Sequence, residues 1–251
     1  MRKITICIGI TFMLMMELAP ANAIIGGAPD GTEHSWVAGV QAADGSGVVF
    51  SGVAISQTAV LTVAHGAIRI ERATGSLQAR VTFDPVADGS ATWYQGTMHI
   101  DPAYNPSVPS VGDYAIVEFP TPLPVDPARL PTPNSFSPRS LSATTLPVVG
   151  YGTTALVPGT PNPDFSSGGI RKVDVATFHA LKPELVKLRM PDGDQVCVGD
   201  SGGPSFLGDT DLVAGITLGA LGGCISSGSV TQMRVDTSAA RAFIGQFVSL
   251  P

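Results

Sequence analysis

The segment Val198-Gly199-Asp200-Ser201-Gly202-Gly203-Pro204 sets one hydroxyl among glycines and beside a carboxylate. A serine is a poor nucleophile until a neighbouring base takes its proton, and that base needs a third group to orient it and stabilise its cation. Ser201 therefore requires a histidine and an acid from elsewhere in the chain. The histidines are His34, His65, His99 and His179. His65 ends the apolar run Ala59-Val60-Leu61-Thr62-Val63-Ala64, which reads as a strand entering a glycine-containing turn, where a side chain is held rigidly at a surface. His34 lies in a polar stretch, while His99 and His179 lie in strand-like text, so these three read as surface or packed histidines. Among the acids, Asp113 opens the apolar segment Tyr114-Ala115-Ile116-Val117, where a carboxylate would be buried and would need a partner. Asp101, followed by Pro102 in a turn-like sequence, is the weaker candidate. Gly199 to Gly203 also satisfies the G-x-S-x-G nucleophile elbow, but that fold places its histidine after the serine and none follows Ser201.

The elements that must hold these residues read as strands. Short runs rich in Val, Ile and Thr recur from Trp36 to Phe119 and from Leu146 to Val235, punctuated by 29 Gly and 21 Pro, which makes all-β the fold class. Between the two runs, residues 120–138 hold seven prolines in 19 positions, a density that forbids a central strand or helix and suits an extended surface connector. The text divides into a β unit over 24–119, this connector, and a second β unit over 139–251. From Ser238 to Leu250 the period changes: Ala240, Phe243, Ile244, Phe247 and Val248 fall on one helix face, with Thr237 or Ser238 placed to cap it.

Arg2-Lys3, an apolar run from Ile4 to Met16 and Ala21-Asn22-Ala23 form the three regions of an export signal over 1–23. The run is too short to span a bilayer, and nothing after it is long and apolar enough. The mature chain expected from that cut is secreted, extracellular or periplasmic, has no stable membrane insertion, and carries 12 basic and 19 acidic residues, a net charge of −7. Such a balance, without any Lys/Arg cluster, excludes a nucleic-acid footprint. The cut also removes Cys7, leaving Cys197 and Cys224, an even number in an oxidising compartment and so the natural pair for one disulfide. No Cys/His cluster or calcium loop suggests a metal or cofactor.

Ile24-Ile25-Gly26-Gly27, the run ending in His65-Gly66, the segment opened by Asp113, Gly150-Tyr151-Gly152 and Gly199 to Pro204 resemble, in order, the landmarks of chymotrypsin-like serine proteases. The resemblance implies two antiparallel six-stranded β-barrels with a C-terminal helix, and a secreted endopeptidase acting on protein or peptide substrates, monomeric by default. On it Ser201 is the nucleophile, His65 the general base and Asp113 the group that holds the imidazole, while the amides of Gly199 and Ser201 make the oxyanion hole. It also implies an activating ion pair between Asp200 and a free amine at Ile24, the residue directly after the Ala-Asn-Ala site, so that signal cleavage would itself create the active terminus. Gln195, at the pocket floor, and Leu218, Gly219 and Ala220, along its wall, imply cleavage after neutral or apolar residues rather than Lys or Arg. Cys197 and Cys224 match a bridge that braces the pocket, whereas a second family bridge, matched to Ser51 and Gly66, is missing at both ends. Two alternatives share this reading of the fold: a catalytically silent binding or adhesion protein, and an esterase using the same triad.

Overall fold

The computed structural model describes residues 24–108, 111–160, 162–219, 224 and 228–251; the expected export signal and Ala220 lie outside them. After a two-residue strand β1 (Ala28–Pro29), strands β2 (Val37–Ala42), β3 (Phe50–Ser56), β4 (Ala59–Thr62), β5 (Gln78–Thr82), β6 (Tyr94–Ile100) and β7 (Ala115–Glu118) close into an antiparallel barrel in the order β2-β3-β4-β7-β6-β5. A second ring follows with β8 (Leu146–Gly150), β9 (Lys172–Leu181), β10 (Leu185–Arg189), β11 (Pro204–Phe206), β12 (Val213–Thr217) and β13 (Ser229–Arg234). Its order is β8-β9-β10-β13-β12-β11, closed by the β8–β9 pairing, with β1 added at β9. The architecture is mostly β, two six-stranded antiparallel barrels, as the resemblance implies.

Burial explains why several strands lack a polar face. Every residue of β2, β4 and β8 is buried, because one face of each strand fills its barrel while the other meets neighbouring layers. Val40, Ala54, Val60, Val81 and Val117 belong to the cluster within the first barrel. Val148, Val186, Leu188 and Val230 fill the second, together with Ile24, which is fully buried. The largest cluster straddles both: Val53, Leu61 and Ile116 pack with Val149, Phe206 and Ile216, and the terminal helix lies on it through Phe243 and Ile244. A fully buried aliphatic side chain contributes roughly 1.5–3 kcal/mol, so this shared layer is what holds the two barrels in one orientation.

Helices are few. The first, α1 (Ala64–Thr74), begins where the sequence suggests only a turn; Ala64, Ala67 and Ile70 form its buried face, and Gly75, at φ 71°, ends it by donating to the Glu71 carbonyl. A short α2 (Pro138–Ser142) has Pro at its first turn and a capping box from Ser137 to Ser140. The expected terminal helix is α3 (Ser238–Ile244), capped by the Thr237 hydroxyl accepting from the Ala240 amide. It stops at Gly245, short of Leu250, although Phe247 and Val248 still pack on the shared layer.

Two expectations need correction. The 120–138 connector runs partly inside the surface: Leu123, Ala128, Leu130 and Phe136 are buried, and the Ala128 and Arg129 amides bond to the Ala54 and Asp211 carbonyls, strapping one barrel to the other. Proline forbids regular pairing but not isolated bonds from the residues between prolines. Ser51, further, does not face Gly66. A Cβ placed on Gly66 would lie 3.6 Å from the Phe50 ring, so Phe50 supplies the apolar packing there, and strand alternation turns Ser51 the other way.

Candidate active site

His65 sits in the first turn of α1, where backbone N–H groups have no partner within the helix. Val63, at the N-cap, offers no side-chain acceptor. Asp113 fills that role from across the chain: its Oδ1 accepts from the His65 amide at 2.8 Å and its Oδ2 pairs with His65 Nδ1 at 2.7 Å. The helix dipole adds to the attraction, since a carboxylate is favoured at an N-terminus. Asp113 is fully buried in the segment leading into β7, whereas His65 leaves about 30% of its side chain exposed. One carboxylate thus fixes His65 twice, by its backbone amide and by ring Nδ1, while the side chain stays partly exposed. Asp101 has no part in this pairing; its Oδ1 accepts from the Ala103 amide in a local turn.

Ser201 comes from the turn before β11 and is 7% exposed. Its hydroxyl faces the backbone of Gly219, where an added Cβ would come within 2.5 Å of Oγ. No hydrogen bond joins Ser201 to His65 in this structure, an openness common before substrate tightens such a site. The turn is crowded at its glycines. Gly199 has φ 100°, and a Cβ there would meet the Val49 carbonyl at 2.7 Å; Gly202 has φ 84°, and a Cβ would meet the Ser51 carbonyl at 2.3 Å. Only glycine fits either place.

The amides of the turn divide into two groups. Those of Asp200, Gly202 and Gly203 donate to the carbonyls of Cys197, Thr217 and Asp200. Those of Gly199 and Ser201 have no acceptor among the described residues. Two unengaged donors flanking one hydroxyl form an arrangement able to receive a developing oxyanion.

Asp200 points inward and is 1% exposed. Its carboxylate accepts from the Gly152 and Cys197 amides at 2.9 and 2.8 Å. No cation faces it among the described residues, and burial, only partly offset by those two bonds, pushes its pKa up to about 7. With residues 1–23 still attached the nitrogen of Ile24 is an amide, so the expected ion pair has no amine to form it. Ile24 nevertheless lies fully buried, and Ile25 pairs with Gln195 by two backbone bonds of 3.0 Å. Gln195 is buried with no partner for its side-chain oxygen among the described residues, Leu218 is buried, and Cys197 and Cys224 form a disulfide.

Sequence reasoning missed several residues that shape the site. Ser51, Gly152 and Thr217 each hold the nucleophile turn, and α1 carries His65 where a plain turn was expected. The only local signal of the helix is the spacing of Ala64, Ala67 and Ile70, too weak across Gly66 and without a capping side chain to mark it. His34, expected to be packed or superficial, is packed: its ring stacks on Phe206 and its Nδ1 pairs with Asp30, which also binds the buried Arg171.

A family model described as Trypsin matches residues 24–240. Among solved structures, HL collagenase is similar at TM-score 0.70 and 22% identity, covering 89% of this chain and 97% of that one. A scabies mite inactivated protease paralogue, S-D1, is similar at TM-score 0.70 and 17% identity, covering 91% and 100%. Human heparin binding protein is similar at TM-score 0.67 and 18% identity, covering 89% and 96%. Likeness at such identities carries the fold alone, and among curated proteins none matches the chain. The family match, by contrast, spans both barrels and every landmark from Ile24 to the start of α3, and by it the chain belongs to the chymotrypsin-like serine protease family.

Proposed function

We propose that the protein is a secreted serine endopeptidase in which Ser201, His65 and Asp113 hydrolyse peptide bonds through an acyl-enzyme. The observation that carries this reading is the double grip of Asp113 on His65. With Nδ1–H held, Nε2 is left as the base, and it takes the Ser201 proton as Oγ attacks the carbonyl carbon. Negative charge on the carbonyl oxygen falls to the Gly199 and Ser201 amides. His65 then returns the proton to the leaving amine, and water repeats the sequence to release the acid. Asp113 stays ionised and stabilises the imidazolium between the two transfers. Labelling with a fluorophosphonate tests the assignment: the wild-type chain is expected to label and Ser201→Ala is not. Equal labelling of the two would remove Ser201 from its role.

Gln195 supports selectivity for neutral residues before the scissile bond, because its amide gives a Lys or Arg side chain no counter-charge. Peptides with Phe, Leu, Ala and Arg at that position should rank Arg last, and a dominant Arg rate would overturn the assignment. A preparation whose Ser201 reacts with the phosphonate and which, before labelling, cleaves p-nitrophenyl esters but no peptide would instead favour the esterase reading.

A silent scaffold is the competing class, and two of the structures above are named as an inactivated paralogue and a heparin binding protein. The present chain retains serine, histidine and aspartate at all three positions, and its net charge of −6 is the wrong sign for a polyanion. Export followed by cleavage after Ala23 would expose the Ile24 amine to Asp200. N-terminal sequencing of secreted protein is expected to begin at Ile24; a start at Asn22 would require a second protease.

A further inference from the structure

Catalysis by this site depends on two amides, those of Gly199 and Ser201, keeping a fixed mutual direction. They belong to the Val198–Gly199 and Asp200–Ser201 peptide planes, and the Gly199–Asp200 plane lies between them. Each plane is rigid, so holding its carbonyl holds its amide as well. The Val198 carbonyl is held by the Thr153 amide at 2.8 Å, and the Asp200 carbonyl by the Gly203 amide at 2.9 Å. The middle plane is gripped differently. Its carbonyl, Gly199 O, accepts from the Ser51 hydroxyl at 2.8 Å, while its amide, Asp200 N, donates to the Cys197 carbonyl at 3.1 Å. The Ser51 amide also donates to the Ser201 carbonyl at 3.0 Å.

Ser51 belongs to β3 of the first barrel, and it is fully buried. Its hydroxyl accepts from the Tyr151 amide at 2.8 Å, directly after β8 of the second barrel. With that lone pair occupied, the single hydroxyl proton is directed at Gly199 O. The restraint matters most here because glycine at 199 has the least conformational preference of its own.

We infer that Ser51 is a positioning residue of the oxyanion site, its hydroxyl and amide clamping the Gly199 and Ser201 carbonyls from the opposite barrel so that the two flanking amides converge on one point. The inference rests on the hydrolase reading of the same site. Removing the hydroxyl leaves the Gly199 carbonyl and Tyr151 amide unpaired in the interior and frees the middle plane to turn. Ser51→Ala is therefore expected to lower kcat roughly 10- to 100-fold, less than the ~100- to 1000-fold that follows outright loss of a donor, with KM within about threefold. A peptide aldehyde, whose hemiacetal oxygen occupies the oxyanion position, should lose affinity by the same factor as kcat.

The test measures the acylation burst with p-nitrophenyl acetate, kcat and KM on a peptidyl anilide, and aldehyde affinity, in secreted, processed protein. Ser51→Thr and Ser51→Val have equal shape and differ only in the hydroxyl, so their comparison reads it even where Ser51→Ala expresses poorly. Thr62→Val is the structural control: it deletes the buried bond from the Thr62 hydroxyl to the Ser51 carbonyl and is expected to lower thermal stability while leaving the ratio of aldehyde to substrate affinity unchanged. Thr acylating at least fivefold faster than Val, with a matching gap in aldehyde affinity, supports the inference. Equal rates in the two variants, in a chain whose wild type labels through Ser201, overturn it alone. A wild type without Ser201-dependent labelling overturns the hydrolase reading and this inference with it.

Discussion

Asp113 holds two different hydrogens of one residue, the amide and the ring N–H of His65, with two different oxygens. An asparagine has only one acceptor oxygen, so Asp113→Asn must give up one of these bonds or turn the imidazole into the tautomer whose Nε2 carries the proton. The expected result is a fall in turnover of about 10⁴, the size of the corresponding change in the enzyme that serves as the template for this fold, with KM changed only a few-fold. Asp101→Asn, measured alongside on a peptidyl anilide, should stay within a few-fold of wild type. This distinction was legible in the sequence, because a carboxylate opening an apolar strand must find a partner and one flanked by proline need not. The role of Ser51 was not. A hydroxyl within a buried strand has no local signature of its own, and its partners, Tyr151 and Gly199, are 100 and 148 residues away in the chain.

Strands were the most legible elements, since apolar runs bounded by Gly and Pro mark a strand whether its buried face is one or both. Period alone could not find β11, whose three residues follow directly on the nucleophile turn, nor α1, whose start is fixed by Asp113 rather than by a capping side chain. The backbone at the end of β12 was equally hidden. Gly219 has φ 93°, and a Cβ there would sit 2.5 Å from Ser201 Oγ. Gly219→Ala should therefore displace the nucleophile as well as block the substrate, lowering the phosphonate labelling rate roughly 100-fold, the scale set by a misplacement of about 1 Å. A labelling rate near that of wild type would mean that the hydroxyl has another direction available. Replacing Cys197 and Cys224 together by Ala opens a 27-residue loop and should cost about 3 kcal/mol in urea unfolding.

At the scale of the whole molecule, the ion pair proposed between the Ile24 amine and Asp200 would couple the first described residue to the nucleophile turn, and that coupling would have a pH signature. In the uncut chain Asp200 is buried with no cation facing it among the described residues and its pKa raised to about 7, against about 3.9 for an unfolded aspartate. Between those values the unfolded chain has released this proton while the folded chain still holds it, so folding stability falls as pH rises from about 4 to 7, by up to about 1.4 kcal/mol per unit. A chain beginning at Ile24 replaces the missing cation with an amine, and the carboxylate then ionises in the folded state with little penalty. That chain should keep the Asp200 contribution to its stability through neutrality and lose it as the amine, normally near pKa 8 and raised by the pair, gives up its proton at alkaline pH. Asp174, lifted to about 6 chiefly by its own burial, adds the same slope to both chains and cancels in their difference. Urea midpoints from pH 4 to 10 for chains beginning at Ile24 and at Asn22 read the coupling directly. The two curves should separate as pH rises toward 7 and converge again as the amine is lost. Asp200→Asn in the Asn22 chain should remove the Asp200 part of its decline below pH 7, leaving the shallower slope that Asp174 contributes. Parallel curves would mean that Ile24 is buried for its side chain alone, as one more member of the second barrel's core, and that its amine has no hold on the turn that carries Ser201.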